Sequence, residues 1–576
     1  MNKKMILGIS CEHDSGAALL TDKGEIVAAA NEERFNRQKL YTGFPKASIL
    51  YVIKEAGIKP ADIGEIAVAS HTHIRSRDWD WDKFSLKREI VSFILRSHAG
   101  KKLFENKFFM RCVINRLANM MFRRMVFRQI NKLDINCKID FVDHHVCHVN
   151  SAIHTSGFEN GLALSFDAQG DGFSSKAYFF KNYGRCKDII YDNVFFKSPA
   201  HYYGYATKLL NFRPMEHEGK VTGLAAFGDP TKTFPIFYQR LSFSDTKGLF
   251  QHKGYYSKPE IRYLRKCLAG YSKKDIAAGV QKHLEVNIID YISYLRNLIN
   301  MPKFNIVLSG GIFANVLLNQ KISELSFIDG MHIHPNMGDG GLAFGASLEK
   351  AMLRKEYKNI KIRDVFLGPQ PSGDIDKLIG AYKLCEIKSF EGADIFYYTA
   401  KILKNGGIVG IVEGRMEYGP RALCHRSIIC NPFNRAINTT LNRMLMRTEF
   451  MPFAPIILDK DVDAYFDDVS NKKFAMEFMT ITCRTNKLFQ QHAAAANHVD
   501  NTTRPQIVFP ETGSIYNVLT HFKELTGCSV LINTSFNLHG EPIVNTYEDA
   551  IRTFLKSKLD YLLLDKRLFV SQGQHR

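Results

Sequence analysis

None of the eleven cysteines sits in a C-x-x-C pair, which removes the signature of a zinc ribbon, and their scattered spacing from Cys11 to Cys528 outlines no disulfide framework. A reducing cytoplasm is the expected compartment. Long apolar runs are also lacking: Ile6-Leu-Gly-Ile9, after the polar start, is too short for a signal-peptide core or a membrane span. The chain therefore reads as soluble. Acidic residues are in deficit, with 58 Asp+Glu against 77 Lys+Arg and a formal charge of +19, which favours anionic partners without naming them. At 576 residues, 45% hydrophobic and 23% charged, the composition is that of a globular protein too long for one core, so two or more domains are expected.

Much of the positive charge is local. Between Arg75 and Lys138 lie Lys87, Arg88, Arg96, Lys101, Lys102, Lys107, Arg111, Arg116, Arg123, Arg124, Arg128 and Lys132, interleaved with apolar residues. Helical spacing over 103–132 predicts an apolar stripe of Phe108, Cys112, Ile114, Leu117, Met121 and Val126. The expectation is a helical insertion packed on the body with a solvated basic face; contact with a membrane surface and binding of a phosphorylated acceptor are the sharper alternatives, and neither is favoured.

Strand signals and tight turns alternate from Met5 to Ala30, predicting a three-stranded meander around the polar loop Ser10–Gly16. The pattern returns at Leu162–Phe166, Ser175–Phe180 and Asp188–Tyr191 around the loop Asp167–Gly172. Such duplication predicts two related subdomains facing a cleft. Further on, Asn305–Ser309 reads as a buried strand ending in Gly310-Gly311 and opening a helix at whose start backbone N–H groups can meet nucleotide phosphate or ribose. A second glycine turn, Gly338–Gly345, carries Asp339. Turn formers at Leu367–Gly373 place a domain boundary near 355–370, and Ala493–Ala496 is expected in a surface loop or short helix.

Several constellations carry chemistry. Glu413–Ser427 packs Arg415, Arg421 and Arg426 with Glu417 around Gly414 and Gly419; guanidinium forks grip phosphate or carboxylate oxygens in pairs, and glycine lets the backbone approach a ligand. Arg504 is a fourth phosphate-competent arginine. Asn533, Ser535 and Asn537 alternate along an extended segment and would face one ligand. In Asp143-His-His-Val-Cys-His148, a helix would put His144 and His148 on one face, as a divalent metal requires, with Asp339 as a carboxylate ligand. His13 and Asp14 in the first loop suit general-base work, and Asp167 and Asp171 in its echo suit phosphate or Mg2+ positioning. Glu218 and Lys220 form an acid–base knot before a helical run and are expected, with His13 and Asp14, to be catalytic.

Taken in order, the motifs H-D-S-G-A-A-L at 13–19, E-E-R-F-N-R at 32–37, D-H-H-x-x-H at 143–148, G-K-V-T-G-L-A at 219–225, S-G-G-x-x-x-N at 309–315, G-D-G-G-L-A-x-G at 338–345, G-R-M-E-Y-G-P-R-A-L at 414–423 and N-T-S-F-N-x-H-G-E-P-I-V at 533–544 resemble the O-carbamoyltransferases of the NodU/CmcH/TobZ type. The resemblance implies an α/β protein: a TsaD-like N-terminal domain over 1–360, of actin-like ATPase fold with duplicated subdomains and a basic insertion at about 75–138, and a YrdC-like α/β domain over 370–576. It implies that the second domain makes carbamoyl adenylate from carbamoyl phosphate and ATP, and that the first transfers the carbamoyl group to a hydroxyl of a sugar or glycosylated natural product. His144, His148 and Asp339 would hold an iron(II)-like metal, Mg2+ would accompany ATP, and His13 would be the base. Asp167, Gly170, Gly310, Gly311 and Asn315 would meet nucleotide in the first domain; Arg415, Glu417, Arg421, Arg426, Arg504, Asn533, Ser535 and Asn537 would hold carbamoyl phosphate and ATP in the second.

Departures from the family pattern are Leu445 and Met451 in place of cations, with Arg447 keeping its place and Arg443 available to compensate, and Cys424 where a glycine is usual. The expected partners are small molecules, with no DNA and a homodimer left open. A threonylcarbamoyl-type tRNA enzyme and a non-catalytic actin-like ATP-binding protein are the competing readings; the fused second domain separates the first from the leading one, and turnover of carbamoyl phosphate would exclude the second.

Overall fold

Apolar alternation at the start of the chain builds β1 (Met5–Ser10), β2 (Gly16–Leu20) and β3 (Ile26–Asn31). β1 runs antiparallel to β2, with Gly8 opposite Ala18, and parallel to β4 (Ile63–Ala69), which pairs in turn with β5 (Lys138–Val142). The sheet order is β3-β2-β1-β4-β5. The same plan recurs downstream. β6 (Gly161–Gly170), β7 (Phe173–Lys181) and β8 (Cys186–Val194) form an antiparallel meander. After the hairpin β9 (Leu241–Ser244) and β10 (Leu249–His252), the strands β11 (Phe304–Ser309) and β12 (Ile328–Ile333) add in parallel beside β6. The order β12-β11-β6-β7-β8 repeats the first sheet, so this unit has the duplicated halves of the actin-like ATPase fold. The helix Leu342–Ala351 packs on β1, β2, β4 and the helix His144–Ser156; Gly8 permits this, since a Cβ there would run into the Ala343 carbonyl.

This computed structural model describes residues 5–72, 85–106, 115–354, 357, 361–388 and 394–571. The chain divides into two compact units, Met1–Ala29 with Leu40–Ile362, and Ala30–Lys39 with Arg363–Arg576. The second unit is a mixed α/β domain. Its strands are β13 (Leu384–Ile387), β14 (Val409–Val412), β15 (Arg426–Cys430), β16 (Ala454–Leu458), the short pair β17 (Cys483–Arg484) and β18 (Thr502–Thr503), β19 (Gln506–Val508), β20 (Val530–Ser535), β21 (Tyr561–Leu564) and β22 (Arg567–Ser571). The large sheet runs β13-β22-β21-β14-β15-β20-β16-β19.

Two expectations change. The helix Asn115–Asn131 buries Phe122, Val126 and Ile130 against β5 and its neighbours, whereas Met121 is 65% exposed. The buried face follows i, i+4, i+8 from Phe122, a phase that the many apolar residues of this segment hid. Phe108, Cys112 and Ile114 lie outside the described residues, as does the side chain of Leu117. Ala494–Ala496 form a short 3-10 helix, one of the two expected placements, but Ala493, Ala495 and Ala496 are buried rather than on the surface. Among the described residues no helix is long and apolar enough to cross a membrane.

Candidate active site

In the first unit the site begins with a helix cap. Asp143 accepts the backbone N–H groups of His145 and Val146 and the ammonium of Lys176, so the helix His144–Ser156 starts at a fixed residue and puts His144 and His148 one turn apart. Their ring centroids are 4.8 Å apart. Asp167 arrives from the end of β6 and Asp339 from the turn Asp339–Gly341. One ligand atom from each of His144, His148, Asp167 and Asp339 lies within 4.8 Å of the others. The His148 Nε2 is 3.2 Å from Asp167 Oδ2 and 3.4 Å from Asp339 Oδ1, and the His144 Nε2 is 3.6 Å from Asp339 Oδ1.

The surrounding hydrogen bonds fit a metal. The Ser309 hydroxyl donates to the Met337 carbonyl, so it accepts from His148 Nδ1 at 3.2 Å and leaves Nε2 to face the cluster. Ser70 Oγ lies 3.1 Å from His144 Nδ1. Burial alone would lower the His148 pKa, but hydrogen bonds and charge from Asp167 and Asp339 outweigh it and push the ring up to about 9. Burial would likewise raise Asp167, and its contact with His148 holds it far below the usual carboxylate range. The cluster therefore draws a cation, and two imidazoles with two carboxylates suit a divalent first-row metal.

Sequence reasoning missed Asp167 as a member of this set, assigning it to nucleotide. Other residues from the same list have local work. Gly170 has no room for a side chain, since a Cβ would enter the His144 ring. The Gly310 N–H goes to the Met337 carbonyl and the Gly311 N–H to Asp167 Oδ2 at 3.0 Å, so neither is open to a phosphate. Asn315 caps the helix Val316–Ser323 and pairs with Gln281. Asp171 accepts from the backbone of His71, Thr72 and His144, so it braces the cluster rather than presenting a free carboxylate. His145 is held in the core by Ser165 and the Phe173 carbonyl. His13 and Asp14 are half-buried in the turn between β1 and β2. Glu218 accepts the Met215 N–H, and burial pushes its carboxyl up to about 7. Lys220 is buried on the same helix.

The second unit sorts its arginines into two kinds. Arg426 is fully buried, and its guanidinium donates to the carbonyls of Glu413, Gly414, His425 and Pro369. Arg415 donates to the carbonyls of Leu367 and Gly368. Glu417 accepts the N–H groups of Leu423, His425 and Arg426 through one oxygen. All three shape the loop through these bonds, and the second carboxylate oxygen of Glu417 is buried without a hydrogen-bond partner. Arg421 and Arg504 differ. Burial lowers both pKa values, and for Arg504 the positive charge of Arg421 lowers it further, opposed by Glu449. Their Nε atoms are buried without a hydrogen-bond partner, as is that of Arg426, but among the described residues neither the Arg421 nor the Arg504 guanidinium has a hydrogen-bond acceptor and no carboxylate forms an ion pair with either.

Asn533 donates to the Ala422 carbonyl and to Gln506 Oε1, while its own Oδ1 is buried without a partner. Ser535 and Asn537 are held by Arg447, which bonds Thr534, Ser535 and Asn537 together. Asn537 also donates to the carbonyls of Leu538 and Glu541, so its polar atoms are engaged. Leu445 is fully buried and Arg443 is exposed, so Arg443 does not stand in for the missing cation. Cys424 has φ of 91°, the left-handed region where glycine is favoured. Sequence reading also gave no role to the cations of E-E-R-F-N-R. Arg34 donates to the Gly419 carbonyl at 2.8 Å, and Arg37 to those of Ile543 and Pro542 at 2.7 and 2.9 Å, tying two glycine-rich motifs of this unit to residues 30–39. The cations at i and i+3 just after β3 were the available signal.

Residues 5–348 match the family described as Carbamoyltransferase N-terminus and residues 400–571 the one described as Carbamoyltransferase C-terminus. The chain belongs to the carbamoyltransferase family and is a transferase enzyme. It is 30% identical over 580 residues to an uncharacterized protein of Methanocaldococcus jannaschii, covering 98% of this chain and 99% of that one. It is 28% identical over 573 residues to the nodulation protein NolNO of Sinorhizobium fredii, covering 96% and 78%. A 3'-hydroxymethylcephem-O-carbamoyltransferase of Amycolatopsis lactamdurans is 26% identical over 340 residues, covering 58% of this chain and 61% of that one. Among solved structures, component A of the Acidaminococcus fermentans (R)-2-hydroxyglutaryl-CoA dehydratase covers 60% of this chain and 99% of its own at 15% identity, with a TM-score of 0.33.

Proposed function

We propose that this enzyme is an ATP-dependent O-carbamoyltransferase that activates carbamoyl phosphate as carbamoyl adenylate in residues 370–576 and carbamoylates a hydroxyl of a sugar or glycosylated natural product in residues 1–360. The observation that carries the reading is the Arg421–Arg504 pair. Two desolvated guanidiniums that repel each other, with no carboxylate bonded to them among the described residues, are stabilised by a bound polyanion, and carbamoyl phosphate and ATP are both polyanions. The free state of the described cysteines agrees with a cytoplasmic setting.

In the activating step water hydrolyses the mixed anhydride of carbamoyl phosphate to carbamate and phosphate. A carbamate oxygen then attacks the α-phosphorus of ATP, and pyrophosphate leaves. Arg421 and Arg504 hold the phosphate oxygens and offset the charge that gathers on them. In the transfer step the acceptor oxygen attacks the carbamoyl carbon, AMP leaves with the bonding electrons, and His13 takes the acceptor proton. A divalent ion, iron(II) in this proposal, held by His144, His148, Asp167 and Asp339 would supply Lewis-acid charge for phosphate oxygens. An enclosed anhydride is protected from water, which is the reason to keep activation and transfer in one chain.

Exchange of labelled pyrophosphate into ATP tests the first step: it should require carbamoyl phosphate and survive His13→Asn, whereas carbamoyl transfer should stop in that variant. Absence of exchange in folded, metal-loaded enzyme, or its loss in His13→Asn, would overturn the assignment.

A further inference from the structure

The basic insertion carries a surface whose residues belong to neither of the clusters described above. Its described part begins with the helix Leu86–Ile94, capped by Ser85, and continues into His98–Glu105, capped by Ser97. The inner face is anchored. Leu95 and Phe104 pack with Val194, Phe195 and Phe196, Ser92 donates to the Tyr256 carbonyl, and Lys101 donates to the carbonyls of His252 and Gly254. Phe104 meets Phe195 edge-on at 5.9 Å.

The outer face is apolar and open. Leu86 is 64% exposed, Ile90 49% and Phe93 71%, at the i, i+4, i+7 spacing that puts them in one row. Leu103 on the second helix is 40% exposed and lines a shallow groove with Phe93, Ile94 and Arg96. Three large side chains at these exposures in a single row form a patch, unlike the scattered apolar residues normal on a protein surface. Its charge is one-sided. Glu89 and Glu105 are paired with Lys258 and Lys197 of the body, while Lys87, Arg96 and Lys102 remain exposed, with Arg96 over the Phe93 ring. Among the described residues no carboxylate pairs with those three cations. A second copy of this chain is a poor occupant, because a self-complementary contact would bring the same cations together.

We propose that the helices Leu86–Ile94 and His98–Glu105 form an interfacial platform that docks the enzyme on an anionic lipid surface, with Leu86, Ile90 and Phe93 among the acyl chains and Lys87, Arg96 and Lys102 at the lipid phosphates. An apolar row flanked by basic side chains is the physical signature of a helix lying in the headgroup region, and its binding adds apolar burial to attraction for anionic headgroups. The insertion is also tied to the metal-binding cluster. The chain enters it from Ser70–Thr72, whose groups bond to His144 and Asp171, and the Phe195–Lys197 turn beneath the platform is followed by Ser198, which donates to the Asp167 carbonyl.

The test is flotation of the full chain with phosphatidylcholine vesicles, with and without phosphatidylglycerol. Wild type should float with the anionic vesicles and not with phosphatidylcholine alone, and binding should fall as salt rises. Combined Leu86→Gln, Ile90→Gln and Phe93→Gln should weaken binding at least about tenfold, as should combined Lys87→Gln, Arg96→Gln and Lys102→Gln, with pyrophosphate exchange retained in both. Phe93→Trp gives a second readout, a blue-shifted emission difference on anionic vesicles. Wild type that stays in the aqueous fraction with both vesicles, variants that float like wild type, or an apolar patch covered by self-association that the apolar variant abolishes, would overturn the proposal.

Discussion

The two clusters answer the same electrostatic problem in opposite ways. In the first unit, His144 and His148 face Asp167 and Asp339, so buried charges of opposite sign compensate each other, and a metal replaces protons without changing the plan. In the second, Arg421 and Arg504 share one sign, and burial is compensated only weakly by Glu449. A site that neutralises itself is built to hold a resident ion. On the proposed reading, a site that carries excess charge serves an anionic substrate that comes and goes. Within the second unit the contrast repeats at shorter range: Arg426 has four carbonyl acceptors, while Arg504 has none among the described residues.

The most severe test of that contrast is Arg504→Ala or Arg421→Ala. Either should cut carbamoyl phosphate-dependent pyrophosphate exchange by about a thousandfold, since a buried charge-assisted contact to phosphate is lost, while thermal stability holds or rises because one repulsion is removed. Exchange within tenfold of wild type would break the comparison. Next comes the metal cluster. His148→Ala should lower bound metal to near zero by elemental analysis and stop transfer, and it should leave exchange in place; loss of exchange as well would mean that the two sites are not separable. Arg426→Gln should behave oppositely to Arg504→Ala, costing about 3–5 kcal/mol in denaturant unfolding because loop carbonyls lose their donor in a buried setting. The smallest effect is Cys424→Gly. At a φ of 91° the substitution relieves roughly 1 kcal/mol of backbone strain, so the unfolding midpoint should rise slightly, and a fall would mean that Cys424 packing outweighs its conformation.

Parts of this were readable without coordinates because they are local. A capped helix after a strand puts His144 and His148 on one face whatever surrounds it, and the meander of β1–β3 follows from alternation and turns. Cys424 could be marked as unusual from the sequence alone. Asp167 could not be assigned to the metal set, because it enters from β6, a strand that only sheet pairing brings beside the helix. Arg415, Arg421, Arg426 and Arg504 look alike in a sequence; which guanidinium is engaged depends on where the carbonyls of Pro369, Gly368 and Leu367 come to lie. The loop bonds of Glu417 and Asn537 were out of reach for the same reason, since polar side chains that shape a loop and those that meet a ligand share one alphabet.

By itself, then, the sequence determined the order of the motifs, the helical pairing of the two histidines, the duplicated strand plan and the membership of a carbamoyltransferase family. Tertiary structure alone decided that Asp167 joins the cluster of His144, His148 and Asp339, that Arg34 and Arg37 brace the second unit, and that Arg421 and Arg504 are buried with no acceptor among the described residues. The physical reason is range. Periodicity, capping and turn geometry act over a few residues, whereas burial and the pairing of charges are settled by groups hundreds of residues apart.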